Sequence, residues 1–305
     1  MATIVTPAIL NALFIGFRRD FRHGFESAEC AYDKIATTVP STTSSNLYDW
    51  LGEFPDLKEW VGERVIKSMQ AFGYSIVNKD WESTIGIKRP KIEDDQAGVY
   101  SPLFSEMGMA AKRHPDRLIF DLVKEGHQRP CYDGQNFFDA EHPIHANVDG
   151  TGDVSPVSNY KTGSQSDGPL WLLLDLSRAL RPFIFQNRKS PVFTSMIDLN
   201  DENVFMRNEY RFGIDSRSNV GFGFWQQAYG SREELTADAF NAAIKAMQLT
   251  KKDGLNPMGI NPTHLVVSPH HREAALEIVK AERNAAGATN INRNAVEVLS
   301  TPWMA

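Results

Sequence analysis

Between residues 168 and 230 the chain reads as one strand after another: PLWLLLDL, PFIFQNR, VFTSMID, NVFMRNEYRFGID and GFGFWQQAYG. Each run is aromatic and β-branched, and each is set off by Pro, Asn or Asp. Only sheet accommodates such a stretch, and the helical patterns lie outside it. Upstream, residues 93–126 carry Glu93, Asp94 and Asp95 at the end where carboxylates favour the helix dipole. An apolar stripe follows through Leu103, Met107, Ala110 and Ala111 and resumes at Leu118, Ile119, Leu122 and Val123. Pro115 falls inside it. An interior proline costs a helix roughly 3 kcal/mol, so a kink or restart is expected there, with Asp116 in the new first turn and Gly126 at the end. From residue 234, ELTADAFNAAIKAMQLT is helical again, THLVVS is a short buried strand, and NAVEVLSTPW is one more strand. Ser268 and Pro269 are placed to cap and open the helix PHHREAALEIVKAE. Segregation of helices from antiparallel strands predicts an α+β protein rather than a doubly wound sheet.

The N-terminal part is organised differently. Residues 6–22 predict an amphipathic helix, capped by Thr6 and opened by Pro7. Ile9, Leu13, Phe17 and Phe21 recur every four residues, with Leu10 and Phe14 beside them, and Arg18, Arg19 and Arg22 follow near the C-terminal end. The polar stretch TTVPSTTSSN, 37–46, predicts an extended, flexible connection, so the helix reads either as one packed on its own domain or as an arm on a strap that packs on a neighbouring subunit. Beyond it RVIKSM, FGYSIVN and WESTIGIKR predict strands, with a hairpin turn at Asn78–Asp80. A hairpin charged on both faces buries little, and two strands alone are marginal in water. It is expected to find its surface on another chain. Residues 146–168, rich in Gly, Ser, Asp and Asn, predict a long surface loop.

Bulk properties exclude several classes. The 305 residues suffice for one large domain or two interleaved ones. A net charge of −6 excludes a protein that coats nucleic acid through a basic face. Two cysteines, Cys30 and Cys131, suggest no disulfide framework and fit a reducing compartment. The N-terminal apolar stretch is short and lacks a preceding positive charge, so no signal peptide is expected. No run of about 18 apolar residues suggests a membrane span.

One stretch has the composition of a reactive centre. CYDGQNFFDAEHPIH, 131–145, gathers Cys131, Asp133, Asp139, Glu141, His142 and His145, with His127 just upstream. The spacing is neither that of a zinc finger nor that of a calcium loop. YDGQ makes a good turn around Asp133-Gly134, the two phenylalanines can be buried, and His-Pro stops the element. His270 and His271 are adjacent on a helix and point about 100° apart, which does not suit a shared metal. GFGFW at 221–225 lacks the third glycine and the helix of a dinucleotide fingerprint. No nucleophile elbow, P-loop, H-E-x-x-H or C-x-x-C occurs. No catalytic, cofactor-binding or metal-ligating residue is assigned. The rival function this stretch leaves open is a metal-dependent hydrolase centred on 127–145.

CYDGQNFFDAEHPI, LWLLLDLSRALRPFIFQNR, YRFGIDSRSNVGFGFWQQA and PTHLVVSP, together with IVTPAILNAL, WLGEFPDLKEWVGER and KIEDDQAGVYSPLFSEMG, resemble the major head subunit of Mu-like phages and prophages. The resemblance runs from near residue 4 to the strand at 294–303. It implies a major capsid protein of the Hong Kong 97 fold and no enzyme. Under it, residues 1–57 are the N-terminal arm, 58–92 the extended loop hairpin, 93–230 the peripheral domain with spine helix 93–127, and 231–305 the axial domain. The implied function is self-assembly into hexamers and pentamers of an icosahedral head enclosing double-stranded DNA. The implied partners are a scaffold protein, a portal, a cement or decoration protein and the DNA, held non-specifically, with no membrane. The place is the virion capsid, assembled in the bacterial cytoplasm. Phe14, Phe17, Phe21, Trp60, Phe72, Tyr74 and Trp81 become candidate intersubunit contacts, and Arg18, Arg19 and Arg22 candidate DNA-facing residues.

Overall fold

The computed structural model describes residues 6–52, 73–94, 97–148, 150–163, 168–284 and 286–305. In chain order its elements are α1 (Pro7–Ser27), α2 (Tyr32–Ile35), β1 (Ala36–Pro40), β2 (Ser45–Leu47), β3 (Ser75–Val77), β4 (Lys79–Lys88), α3 (Arg89–Glu93) and α4 (Ser101–Lys124). There follow β5 (His142–His145), β6 (Val154–Val157), β7 (Tyr160–Lys161), β8 (Trp171–Leu174), β9 (Phe183–Met196), α5 (Glu202–Arg207), β10 (Glu209–Phe222) and β11 (Ala228–Ser231). The rest are α6 (Ala237–Gln248), β12 (His264–Val267), α7 (Arg272–Lys280) and β13 (Glu297–Ser300).

Helix α1 begins as expected, with Pro7 in its first turn and the Thr6 hydroxyl accepting from the Ile9 N–H at 3.4 Å. It runs on to Ser27, past the expected end at residue 22, because it lies against α4. At the crossing the two backbones touch. A Cβ on Gly24 would sit 2.0 Å from the Ser105 carbonyl oxygen, and one on Gly108 would sit 2.1 Å from that of Phe21. Only hydrogen fits at either place. The apolar stripe is thereby buried in the chain itself. Phe17 stacks on Phe104 at 4.1 Å and meets Phe212 edge-on at 5.1 Å, while Phe21 lies 5.5 Å from Phe193. The helix is therefore not a free arm.

Helix α4 starts at Ser101 rather than at Glu93; a short α3 and a 3-10 turn at Ala97–Tyr100 precede it. It passes through Pro115 without restarting. Packing on both sides of the proline offsets the lost hydrogen bond: Phe104, Met107 and Ala111 sit in the cluster with α1, and Ile119, Phe120, Leu122 and Val123 in the main core. Asp116 opens no new turn. It is buried, and its Oδ1 accepts the N–H groups of Ala31 at 2.8 Å and Tyr32 at 2.7 Å, tying down the start of α2. Burial raises its carboxyl above the ordinary aspartate range, against the pull of those two donors.

One sheet has the order β1-β9-β10-β4, with β1 parallel to β9 and the other pairs antiparallel. Two sequence expectations fail here. Residues 36–40 are a paired strand and not a strap. Asn78–Asp80 is not a hairpin turn, because β3 pairs with β2 while β4 pairs with β10 along its whole length. The charges of β4 stay in water because it is the edge strand: Lys88 and Arg211 flank Glu209, at 3.0 and 3.1 Å. PFIFQNR and VFTSMID fuse into the single long β9, and NVFMR is helical (α5), closed by Asn208 in the left-handed region at φ 51°.

The second sheet has the order β13-β12-β8-β11-β7, so it draws strands from both sides of residue 231, and 231–305 does not build it alone. Its central strand β8 is buried on both faces. Trp171 and Leu173 pack with Phe240, Met247, Ala275 and Val279 of α6 and α7, whereas Leu172 and Leu174 join the core with Phe120 and Val123 of α4. The Ser268 hydroxyl makes no cap bond; Pro269 opens a 3-10 turn before α7. The span 146–168 is not simply loop, since β6 pairs with β5 and β7 with β11. Gly24→Ala and Gly108→Ala should each destabilise the unassembled subunit by about 3 kcal/mol, the upper end for overpacking, because backbone and not a side-chain tip is in the way. Chemical denaturation followed by circular dichroism reads this, and a change under about 0.5 kcal/mol would refute the contact.

Candidate functional site

The stretch 131–145 folds back beneath α4. Phe137 stacks on Phe222 at 4.3 Å and Phe138 packs beside it, so both rings enter the core, as the turn reading expects. Three of its polar residues converge. The Cys131 thiol donates to Asp133 Oδ1 at 3.1 Å, and His142 Nδ1 lies 2.7 Å from Asp133 Oδ2. His142 is fully buried, the Asp133 side chain is 7% exposed, and burial with the neighbouring carboxylate pushes the Cys131 thiol up. The imidazole stacks on Trp225, 3.9 Å between centroids and 9° between planes, and its Nε2 lies 3.2 Å from Asn159 Oδ1. Asn159 and Trp225 lie far from the stretch in sequence, and nothing in their local pattern marks them.

The other candidates of the stretch go elsewhere. Asp139 Oδ1 accepts the N–H groups of Ala140 and Glu141, His145 donates its backbone N–H to Asp253, Glu141 is exposed, and His127 Nδ1 contacts the Lys124 carbonyl oxygen. The convergent trio is largely withdrawn from solvent, with Cys131 and His142 buried and the Asp133 side chain 7% exposed.

The proposed intersubunit residues divide. Phe17 and Phe21 are buried in the chain's own core, and Phe14 is half-buried against Phe193 at 5.7 Å. Tyr74 is turned inward: its hydroxyl accepts the Phe222 N–H at 2.7 Å, and burial pushes its pKa up to about 12. Trp81 is also occupied within the subunit, donating Nε1–H to the Ser218 carbonyl oxygen at 3.1 Å and meeting His114 edge-on at 4.5 Å. It lines a groove of about 420 Å³ with Met107, His114, Ile214 and Trp303. The burial of Phe17 and Phe21 corrects the expectation for those two, because a hydrophobic stripe reveals that a face is buried and not by which chain; Phe14, Tyr74 and Trp81 keep part of their surface exposed. Trp60 and Phe72 lie outside the described residues. Arg18, Arg19 and Arg22 are exposed on the side of α1 away from the core, with Arg19 3.6 Å from Asp20.

Exposed apolar side chains that the patterns did not single out lie elsewhere. Phe205 (81% exposed) and Met206 (70%) project from α5, at the turn between β9 and β10. Val99 lies in the 3-10 turn before α4 and Leu103 in the first turn of α4, and Ile291 follows α7.

A profile of the Mu-like prophage major head subunit gpT matches residues 10–304. The Mu-like prophage FluMu major head subunit of Haemophilus influenzae is 47% identical over 283 residues, 92% of each chain. The major capsid protein of Escherichia phage Mu is 47% identical over 289 residues, 95% of each. Among solved structures, a subunit of the bacteriophage JBD30 procapsid superposes with a TM-score of 0.87 at 52% identity, covering 98% of this chain and 100% of that one. A subunit of the JBD30 capsid gives 0.79 at 37% identity, covering 99% and 100%. A long helix laid on a four-stranded sheet, beside a second sheet clad by two helices, is thus the Hong Kong 97-type fold of a phage capsid protein. The chain belongs to the family of Mu-like prophage major head subunits. It is a structural protein of the phage head and not an enzyme, and the hydrolase reading of 127–145 is set aside. Among the described residues no helix is long and apolar enough to cross a membrane.

Because Phe17 is an intrachain core residue, Phe17→Ala should cost the unassembled subunit about 3–5 kcal/mol. Near-normal denaturation of the isolated subunit with defective shells would instead restore Phe17 as a contact between copies.

Proposed function

We propose that copies of this chain assemble as hexamers and pentamers that close an icosahedral head around double-stranded DNA in the cytoplasm of a bacterial host. What carries this reading is likeness along the whole chain to a procapsid subunit at 52% identity. A scaffold protein and a portal are proposed partners during assembly. Minor capsid protein trimers are a further one, since the JBD30 capsid is found decorated with them.

The domain assignments carry over with altered bounds. The spine helix is α4. The peripheral unit includes α1 and the sheet β1-β9-β10-β4, and the axial unit is the second sheet with α6 and α7. Of the extended loop at 58–92, Lys79–Lys88 is β4, paired with β10, and 58–72 lies outside the described residues. β2 and β3, which flank that segment, pair antiparallel. Trp60 and Phe72, outside the described residues, stay proposed as contacts with a neighbouring copy. Phe205 and Met206 join them, because two large apolar side chains at the tip of a long strand pair stand 81% and 70% exposed.

Negative-stain microscopy of the chain expressed with its scaffold should show closed shells. The double variant Phe205→Ser/Met206→Ser should leave subunit stability within about 0.5 kcal/mol, as surface changes do, while reducing the yield of shells. Normal shells from this variant would remove the α5 tip from the interface, and no particles from the unaltered chain would overturn the reading itself.

Arg18, Arg19 and Arg22 are proposed to face the packaged DNA. On a chain of net charge −6 such a cluster holds phosphate weakly. Free subunits should retard a DNA fragment only at low salt and without sequence preference. Tight, sequence-specific retardation at physiological salt would rule this assignment out.

A further inference from the structure

The hydrogen-bond roles around His142 leave a position that only a positive charge can fill. Asn159 donates Nδ2–H to the carbonyl oxygens of Phe137 at 2.8 Å and Trp225 at 3.4 Å. Its Oδ1 therefore points the other way, accepting the Asp139 N–H at 2.9 Å and facing His142 Nε2 at 3.2 Å. A carbonyl oxygen only accepts, so Nε2 carries the hydrogen. The neutral ring then has a lone pair at Nδ1, and this lone pair faces a carboxylate oxygen, Asp133 Oδ2, at 2.7 Å. Two acceptors at that distance repel unless a cation lies between or beside them. The second Asp133 oxygen is 3.1 Å from Cys131 Sγ. One ligating atom from each of Cys131, Asp133 and His142 falls within 4.8 Å of the others.

We propose that Cys131, Asp133 and His142 form a buried structural metal site that takes Zn2+. Sulfur, imidazole nitrogen and carboxylate oxygen are the donors zinc prefers, and structural sites are four-coordinate. Sγ, Nδ1 and the two Asp133 oxygens supply four donor atoms from three residues. One thiolate and one carboxylate balance the charge of the ion, which suits a place withdrawn from water. Asn159 holds the ring so that Nδ1 points inward, the outer-shell hydrogen bond that metal-bound histidines make. The Trp225 ring fixes the plane of the imidazole. Binding releases two protons to solvent: that of the Cys131 thiol, and that which otherwise lies between Nδ1 and Oδ2. The ion would cross-link the turn after α4, which carries Cys131 and Asp133, to β5, which begins at His142.

The full-length chain, purified without chelators from cells grown with zinc and then dialysed, should retain one zinc per subunit by elemental mass spectrometry. X-ray absorption at the zinc edge should show one sulfur neighbour at about 2.3 Å, a reading that needs no variant. Refolded with Co2+ in place of zinc, the chain should develop a thiolate-to-cobalt charge-transfer band. Cys30→Ser should keep the band and Cys131→Ser should lose it. A zinc-free chain that also gives no band after refolding in Co2+ overturns the proposal and leaves a proton in the position. A band that survives in Cys131→Ser, or a zinc neighbourhood without sulfur, overturns it as well. None of these readings depends on whether shells form.

Discussion

Two helices that touch through their backbones set the geometry of the subunit. At the α1–α4 crossing Gly24 and Gly108 bring carbonyl oxygens to where a Cβ would be, so the helix axes approach more closely than side chains ordinarily permit. That approach puts Phe17 over Phe104 and gives the rings of Phe193 and Phe212 something to close on. It also fixes one end of a helix whose other end enters a different cluster. Asp116 lies between, holding the N–H groups where α1 gives way to α2 and the chain turns toward β1. The long helix is a rod clamped at three places, and both sheets are hung on it.

Sequence patterns exposed periods and chemistry well and partners poorly. Thr6 and Pro7 mark the start of α1 by local hydrogen bonding alone, and the aromatic runs mark the strands of both sheets. The α1 stripe was legible as a buried face, but a stripe carries no information about which surface covers it. Glycines 24 and 108 would have pointed to α4, yet a glycine inside a helix reads as a weakness until its neighbour is known. β9 reads as two strands because its middle, Asn187–Ser190, is polar; there it is partly exposed and its register with β10 shifts, while the pairing resumes on both sides. NVFMR looked like strand from Val and Phe, and its helical turn is decided by the tight reversal at Asn208.

The site shows the same limit from another side. Cys131, Asp133 and His142 were visible as a group, and their spacing argued against a finger or a calcium loop. Their environment is made by Asn159 and Trp225, which reach them only because β5 and the turn before β11 meet in the folded chain. A trio so withdrawn from solvent serves the fold, which agrees with a family whose members form shells. The surface proposed to meet other copies includes Phe205 and Met206, whose exposure is a property of the folded tip and not of the pattern.

The arrangement of the second sheet bears on timing during translation. Its central strand β8 is made midway through the chain, yet one of its two neighbours, β12, comes some ninety residues later, and β13 later still. Met304 then fills the core beneath α4, and the Thr301 N–H bonds back to the Val267 carbonyl oxygen. Until residues 297–304 have cleared the ribosome, β12 lacks its outer neighbour and the core has an unfilled corner. Nascent chains thus remain unfinished at the second sheet until that point.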